Sequence, residues 1–307
     1  MKTMVLVLWT LTMAFATSSP ASQPADPAPI LLHNALQDGD LDEAMMQFRR
    51  MKKSDRAPKI SNVDLLSRLG NLLLESGQYG KSRQVFETNR KWHPAEAITL
   101  RDLARYHYGS DRIDDARRWM KPYLEMESPY ILRDVIMMKR LNFVAAEFDP
   151  PRGLRHERFL LEPLAARHAE MDYEAVTGSV EHLTGAIGRR DWPGDLTLEE
   201  DRQALRGHEW EFEQKVGFVY TVLNPQKTAV IGCVYIYPSR LDDFDAEIVT
   251  WVTAPEFERG TDALLLAEVK AWLAEKWPFD RVVFPGRDLS WGAFFDTLDK
   301  QDRKYIH

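Results

Sequence analysis

The groups in this chain best suited to chemistry are clustered acids, a few histidines and one cysteine, and most are set for something plainer. Glu209, Glu211 and Glu213 are spaced closely enough to suggest a metal or an acid–base pair. Residues two apart on a helix do not converge on one face, so these acids read as a solvated surface. His208, beside Glu209, lacks the second histidine one turn on that a zinc-binding helix needs. Cys233 is the single cysteine and lies between apolar neighbours in a strand-like run, as a small buried hydrophobe would. Without a second cysteine an intramolecular disulfide is impossible. No metal site is expected. The pattern that does invite a function is a loop carrying Arg259 and Gly260, wedged between a strand and an amphipathic helix.

The elements that hold this loop are legible from 218 to 286. Residues 218–223 are β-branched and aromatic and form a strand, ended by turn chemistry at Asn224 and Pro225. Residues 229–237 make a second strand, stopped by Pro238, and 246–252 a third. After the loop, Leu265, Val269, Trp272 and Leu273 recur at helical spacing, and 281–284 supply a fourth strand. A helix between two strands requires a crossover, so the last two strands are expected to be parallel. Upstream, Thr197 and Glu200 form a capping box that opens a helix to about Lys215, with Leu198, Leu205 and Phe212 on one side.

This order resembles the GNAT acetyltransferase family over about 154–298. Residues 158–164 would be its first strand, and Gly232 the glycine common in its third. In that fold acetyl-CoA lies in a splay between the fourth and fifth strands, here 246–252 and 281–284. The resemblance implies that Trp251, Val252 and Thr253 present backbone groups to the thioester. It implies that Arg259, Gly260, Thr261 and Asp262 hold the pyrophosphate, where a helix start favours an anion. The chain departs from the family's Arg/Gln-x-x-Gly-x-Gly/Ala loop: 256–263 has one glycine, and Glu256, Glu258 and Asp262 bring negative charge beside the expected phosphates. Acetyl transfer also needs a base for the acceptor amine and an acid for the leaving thiolate. Glu247 is the candidate base, with an ordinary strand carboxylate as the other reading. The helix after 284 lacks the family's tyrosine and offers Ser290, so Tyr305 serves only if the tail folds back. His182 and Trp192 fall on the acceptor side, where they shape a pocket or simply pack. The implied function is acyl-CoA-dependent N-acetylation of a small-molecule or peptide amine. The alternative is an exported tetratricopeptide-type binding protein with a non-catalytic GNAT-like domain.

The first half supplies the repeat. Leu66, Gly70, Leu73, Ser82 and Phe86 are followed in similar order by Leu100, Ala104, Ala116 and Met120, and Ser82 to Ala116 spans 34 residues. This period resembles the tetratricopeptide repeat, whose helix pairs bind proteins or peptides; an unrelated bundle is the other reading. Small residues such as Gly70 and Ala104 allow close helix approach, and Gly39 and Gly77 suit tight turns. Four extra residues fall within 52–61. Residues 131–141 would cap the array, and Pro150 and Pro151 mark a linker. The expected architecture is α+β: a helical repeat domain over 30–148, then a GNAT-like domain with a mostly antiparallel central sheet over 154–307.

Composition sets outer limits. A chain of 307 residues accommodates two domains, and 44% hydrophobic with 28% charged residues is that of a soluble globular protein. A net charge of −7 argues against general nucleic-acid binding. Lys2, the apolar run 4–16 and the small residues Ala14 and Ala16 form an export signal followed by a flexible linker to 29. The run is too short for a membrane span, and none is expected after its removal. The expected location is periplasmic or secreted, with a cytoplasmic or N-terminally anchored protein as the alternative.

Overall fold

A computed structural model describes residues 27–54, 56–126, 132–188 and 192–302. The expected export signal and Tyr305 lie outside these residues. The chain divides into two compact units, Met1–Pro94 and Ala95–His307. The first unit holds α1 (Ala28–Asp38), α2 (Leu41–Lys52), α3 (Ala57–Ile60), α4 (Val63–Glu75) and α5 (Tyr79–Trp92).

Two helix hairpins, α1/α2 and α4/α5, form the first unit, and their turns follow from local chemistry. Gly39 ends α1 in the left-handed region, and Asp40 then caps α2 by accepting from the Glu43 N–H at 2.9 Å. Gly77 ends the next hairpin's first helix with φ +74°. Leu32, Phe48, Leu66 and Leu69 lie fully buried between the helices. The extra residues within 52–61 fold into α3. A Cβ added at Gly70 would stand 2.2 Å from the Phe86 ring, and Ser82 Oγ donates to Gly70 O at 2.8 Å. The helices of this hairpin are therefore in contact where the sequence has its small residue.

The second unit opens with a third hairpin, α6 (Ala97–Gly109) and α7 (Ile113–Leu124), followed by α8 (Leu132–Leu141). Asp111, at φ 59°, takes the turn that glycine takes in the first two. The core of these helices is continuous with Val216. Lys215 Nζ donates to Ala146 O at 2.6 Å and Phe148 O at 2.7 Å, and the Tyr220 hydroxyl donates to Pro151 O at 2.6 Å. The proline segment at 150–151 thus packs onto the sheet, inside the second unit, and the seam between units falls at Pro94/Ala95.

The sheet has six strands in chain order: β1 (Leu154–Arg155), β2 (Leu160–Pro163), β3 (Phe218–Leu223), β4 (Val230–Pro238), β5 (Ala246–Val252) and β6 (Val282–Val283). All pairings are antiparallel except β5 with β6. Between β2 and β3 lie α9 (Ala169–Thr177), α10 (Val180–Leu183) and α11 (Leu198–Glu213). After β5 come α12 (Ala254–Glu258) and α13 (Thr261–Lys276), and α14 (Trp291–Asp302) follows β6. This is an α+β chain with a mostly antiparallel sheet, in the order read from sequence. The expected strand 158–164 contains β2, Leu160–Pro163, with Arg158 in the turn before it, and the short β1 precedes it. Strand alternation sends Phe218, Tyr220 and Val222 toward α13, and Val219 and Leu223 toward α9 and α11. Gly232 has no room for a side chain, since a Cβ would meet Trp251 O at 2.3 Å.

Gly70→Ala tests the helix contact directly. Forcing a methyl against Phe86 is expected to cost about 1–3 kcal/mol, measured as a lower denaturation midpoint of the full chain. A midpoint equal to wild type would show that the helices are not packed this closely.

Candidate functional site

The sheet opens at one place. β5 and β6 pair at Ala246↔Val282 and Glu247↔Val283 and then part. Ala246 N–H reaches Arg281 O at 3.5 Å, so Ile248, Thr250 and Val252 turn their backbone groups to the same side. Among the described residues no strand meets them there. The Thr250 side-chain hydroxyl is buried and has no hydrogen-bond partner, which is costly in a dry interior. A buried strand edge with an orphaned hydroxyl is a place where an extended polar ligand can pair.

The start of α13 borders this opening. Gly260 caps it at φ +73°, and a Cβ there would meet nothing within 4 Å. The first-turn N–H groups have no partner inside the helix. Four side chains crowd the same place. Glu256 accepts from Arg259 Nη1 with one carboxylate oxygen and from Thr261 Oγ1 with the other. Arg158, from the β1/β2 turn, donates to Thr261 Oγ1 at 2.6 Å and to Arg259 O at 3.1 Å. Burial pushes the Glu256 carboxyl up, but these hydrogen bonds and the charges of Arg259 and Arg158 outweigh it and hold it below the usual range. On the other side, Arg287 donates to both Asp262 oxygens, at 2.6 and 2.7 Å, and to Thr250 O at 3.4 Å.

The residues expected at the cofactor site fall into one neighbourhood. Val252 ends β5, and Thr253, the N-cap of α12, bonds Ile231 O through its N–H at 2.9 Å. The Trp251 ring turns to the opposite face, where Nε1 meets the Tyr235 hydroxyl at 3.4 Å and the ring lies 5.9 Å from Trp192. Arg259, Gly260, Thr261 and Asp262 form the start of α13 with its flank. Glu247 does not join them. It sits five residues before Val252, roughly 17 Å along the strand. It is buried, and accepts from Arg240 N at 2.9 Å and Arg240 Nε at 3.0 and 3.1 Å. Arg240 in turn lies 4.8 Å from the Phe294 ring centre. Glu247 therefore pins the turn after β4 to α14. Ser290 takes the cap position of α14, accepting from Ala293 N at 3.2 Å. The His182 ring lies tilted against exposed Phe257 beside the loop, with ring centres 4.9 Å apart.

Two polar clusters on the α9/α11 face escaped the sequence reading. Glu211, expected on a solvated face, accepts from Tyr237 at 2.6 Å and Arg140 at 2.7 Å and contacts His208 Nδ1 at 3.0 Å. Burial raises its carboxyl, but His208, Tyr237 and Arg140 outweigh that and bring it to about 2. Asp172 and Asp201 are buried against each other and share a hydrogen bond. Burial first, then the Asp201 charge, pushes Asp172 up to about 8, and burial pushes Asp201 up to about 6. The available signal was an acid on an apolar stripe: Asp172 between Ala169 and Val176, and Asp201 between Leu198 and Leu205.

Comparison with known proteins found no matching family model and no matching curated protein. Solved structures that resemble part of the chain include two proposed acetyltransferases. A proposed ribosomal-protein-serine acetyltransferase from Vibrio cholerae is 15% identical, with a TM-score of 0.38, over 50% of this chain and 84% of that one. A proposed GNAT-family acetyltransferase from Bordetella pertussis is 19% identical, with a TM-score of 0.33, over 50% of this chain and 87% of that one.

The acid pair has a pH signature. The folded chain keeps a proton on Asp172 that the unfolded chain releases above its ordinary value of 3.8. Its contribution to stability is therefore lost as pH rises from about 4 through the folded value near 8. Asp172→Asn is expected to gain on wild type as pH rises, so that the gap in melting temperature is larger at pH 8 than at pH 5. A gap that does not change with pH would mean that the pair does not hold this proton.

Proposed function

We propose that the second unit is an acyl-CoA-dependent N-acetyltransferase of the GNAT type. The observation that carries this reading is the free edge of β5, with Thr250 buried and unpartnered beside the start of a long helix. The backbone suits the cofactor. An extended chain of amides can hydrogen-bond along Ile248–Thr250–Val252, and a diphosphate suits the N–H groups of the first turn of α13. Gly260 leaves the approach open. Acetyl-CoA, when bound, supplies the activated acetyl group; the chain binds it, orients it and shields it from water. Glu247 is the proposed base, at the far end of β5 and hydrogen-bonded to Arg240. The acceptor is an amine of a small molecule or a peptide.

A second role belongs to the helix hairpins, as a module that binds a protein or peptide. It is favoured by an open groove of about 510 Å³ in the first unit, where Lys52 and Lys91 stand with Pro58 and Trp92 against one acid, Glu87. The two lysines and the ring suit an acidic, partly apolar segment.

Calorimetric titration of acetyl-CoA into the full chain tests the transferase reading. Saturable heat at or below millimolar concentration is expected, and Gly260→Val, with its fold checked by circular dichroism, is expected to abolish it by blocking approach to the helix start. An absence of heat from wild type and from variants with neutralised cleft acids alike would overturn the reading.

A further inference from the structure

The side chains around the opening do not match its backbone. Three arginines, Arg158, Arg259 and Arg287, converge where a dianionic ligand would need them. Each already has a partner, although the Arg259 side chain stays 66% exposed. Arg259 is engaged by Glu256, Arg287 by both oxygens of Asp262, and Arg158 by Thr261 and a backbone carbonyl. Glu256 is mostly buried against these partners, with its side chain 15% exposed, and Asp262 is more so, at 11%. Charge-assisted pairs of this geometry are stronger than neutral hydrogen bonds, and the bidentate Arg287–Asp262 pair also fixes orientation. Arg287 spans the parting itself, joining the loop after β6 to the first turn of α13 and to Thr250 O on the open edge of β5. The acids that seemed out of place in the sequence, Glu256 and Asp262, are the groups that hold Arg259 and Arg287.

We propose that the cleft is sealed by its own side chains: Glu256 and Asp262 are built-in occupants of the anion position at the start of α13, and Arg287 is the clasp across the parted strands. An incoming diphosphate must take Arg259 and Arg287 from the two carboxylates. Entry is then an exchange of partners. Weak binding by the resting chain, and tight binding once the acids are neutralised, follow directly. The identity of the displacing ligand rests on the transferase reading; the seal does not.

The test compares wild type, Glu256→Gln and Asp262→Asn as full chains, with acetyl-CoA as the probe. Calorimetry gives affinity, and amide hydrogen exchange of the ligand-free proteins follows the segments 258–266 and 284–290. Glu256→Gln leaves the clasp intact, so it serves if Asp262→Asn unfolds. Each variant is expected to bind acetyl-CoA about tenfold more tightly than wild type, the effect of removing one charged competitor. Asp262→Asn is also expected to exchange faster in both segments. Affinity equal to or below that of wild type, with unchanged exchange, would overturn the seal and leave the two acids as local ion-pair partners of the arginines. Faster exchange with no acetyl-CoA bound by any of the three proteins would uphold the seal and overturn acyl-CoA as its ligand.

Discussion

The early parting of β5 from β6 is the constraint on which the site depends. A parallel pair is reached through the α13 crossover, and β6 is only two residues long. β5 continues for five residues beyond the last pairing, with its edge groups facing a gap. A gap in the interior of a sheet is expensive, because each unpaired N–H or C=O there forgoes a hydrogen bond. The chain offsets part of this cost with Arg287 at Thr250 O, and leaves the Thr250 hydroxyl unpartnered. Everything else nearby supports the opening. The face of the sheet under α13 is filled by Leu265, Val269 and Trp272, and aromatic pairs such as Tyr220 with Trp272 brace it.

Electrostatics then set the resting state of that opening. Helix N-termini favour anions, and here the anions are supplied in cis. Glu256 lies on the short helix α12, which places its carboxylate against Thr261, and Asp262 lies within the first turn of α13 itself. In the resting chain both acids therefore stabilise the helix start. The same pairing that stabilises the fold lowers the net positive charge available to a phosphate.

Much of the fold was legible in the residues. Phe218–Leu223 and Ala246–Val252 fall at the expected bounds, because β-branched and aromatic runs bounded by turn residues leave little choice. The Thr197–Glu200 capping box forms as read, with Thr197 N donating to Glu200 at 2.9 Å. Less legible were features set by tertiary contact. α12 is one turn of helix inside what reads as a loop. The segment at 150–151 looks like a linker because its prolines stop helices, yet a buried tyrosine hydroxyl ties it to the sheet. Glu211 follows a surface pattern on its own helix, and only Arg140 and Tyr237, from distant segments, draw it inward. Arg287 carried no local signal at all: its partners, Thr250 and Asp262, lie 37 and 25 residues away.

The central claim is that the parted edge of β5 and the start of α13 form one ligand site. Assigned backbone amide resonances of the full chain, followed during titration with acetyl-CoA, test it most directly. Concerted shifts of the Ile248, Thr250 and Val252 amides are expected together with those of Thr261, Asp262 and Ala263. Shifts confined to the helix hairpins, or at the start of α13 without any along β5, would contradict it.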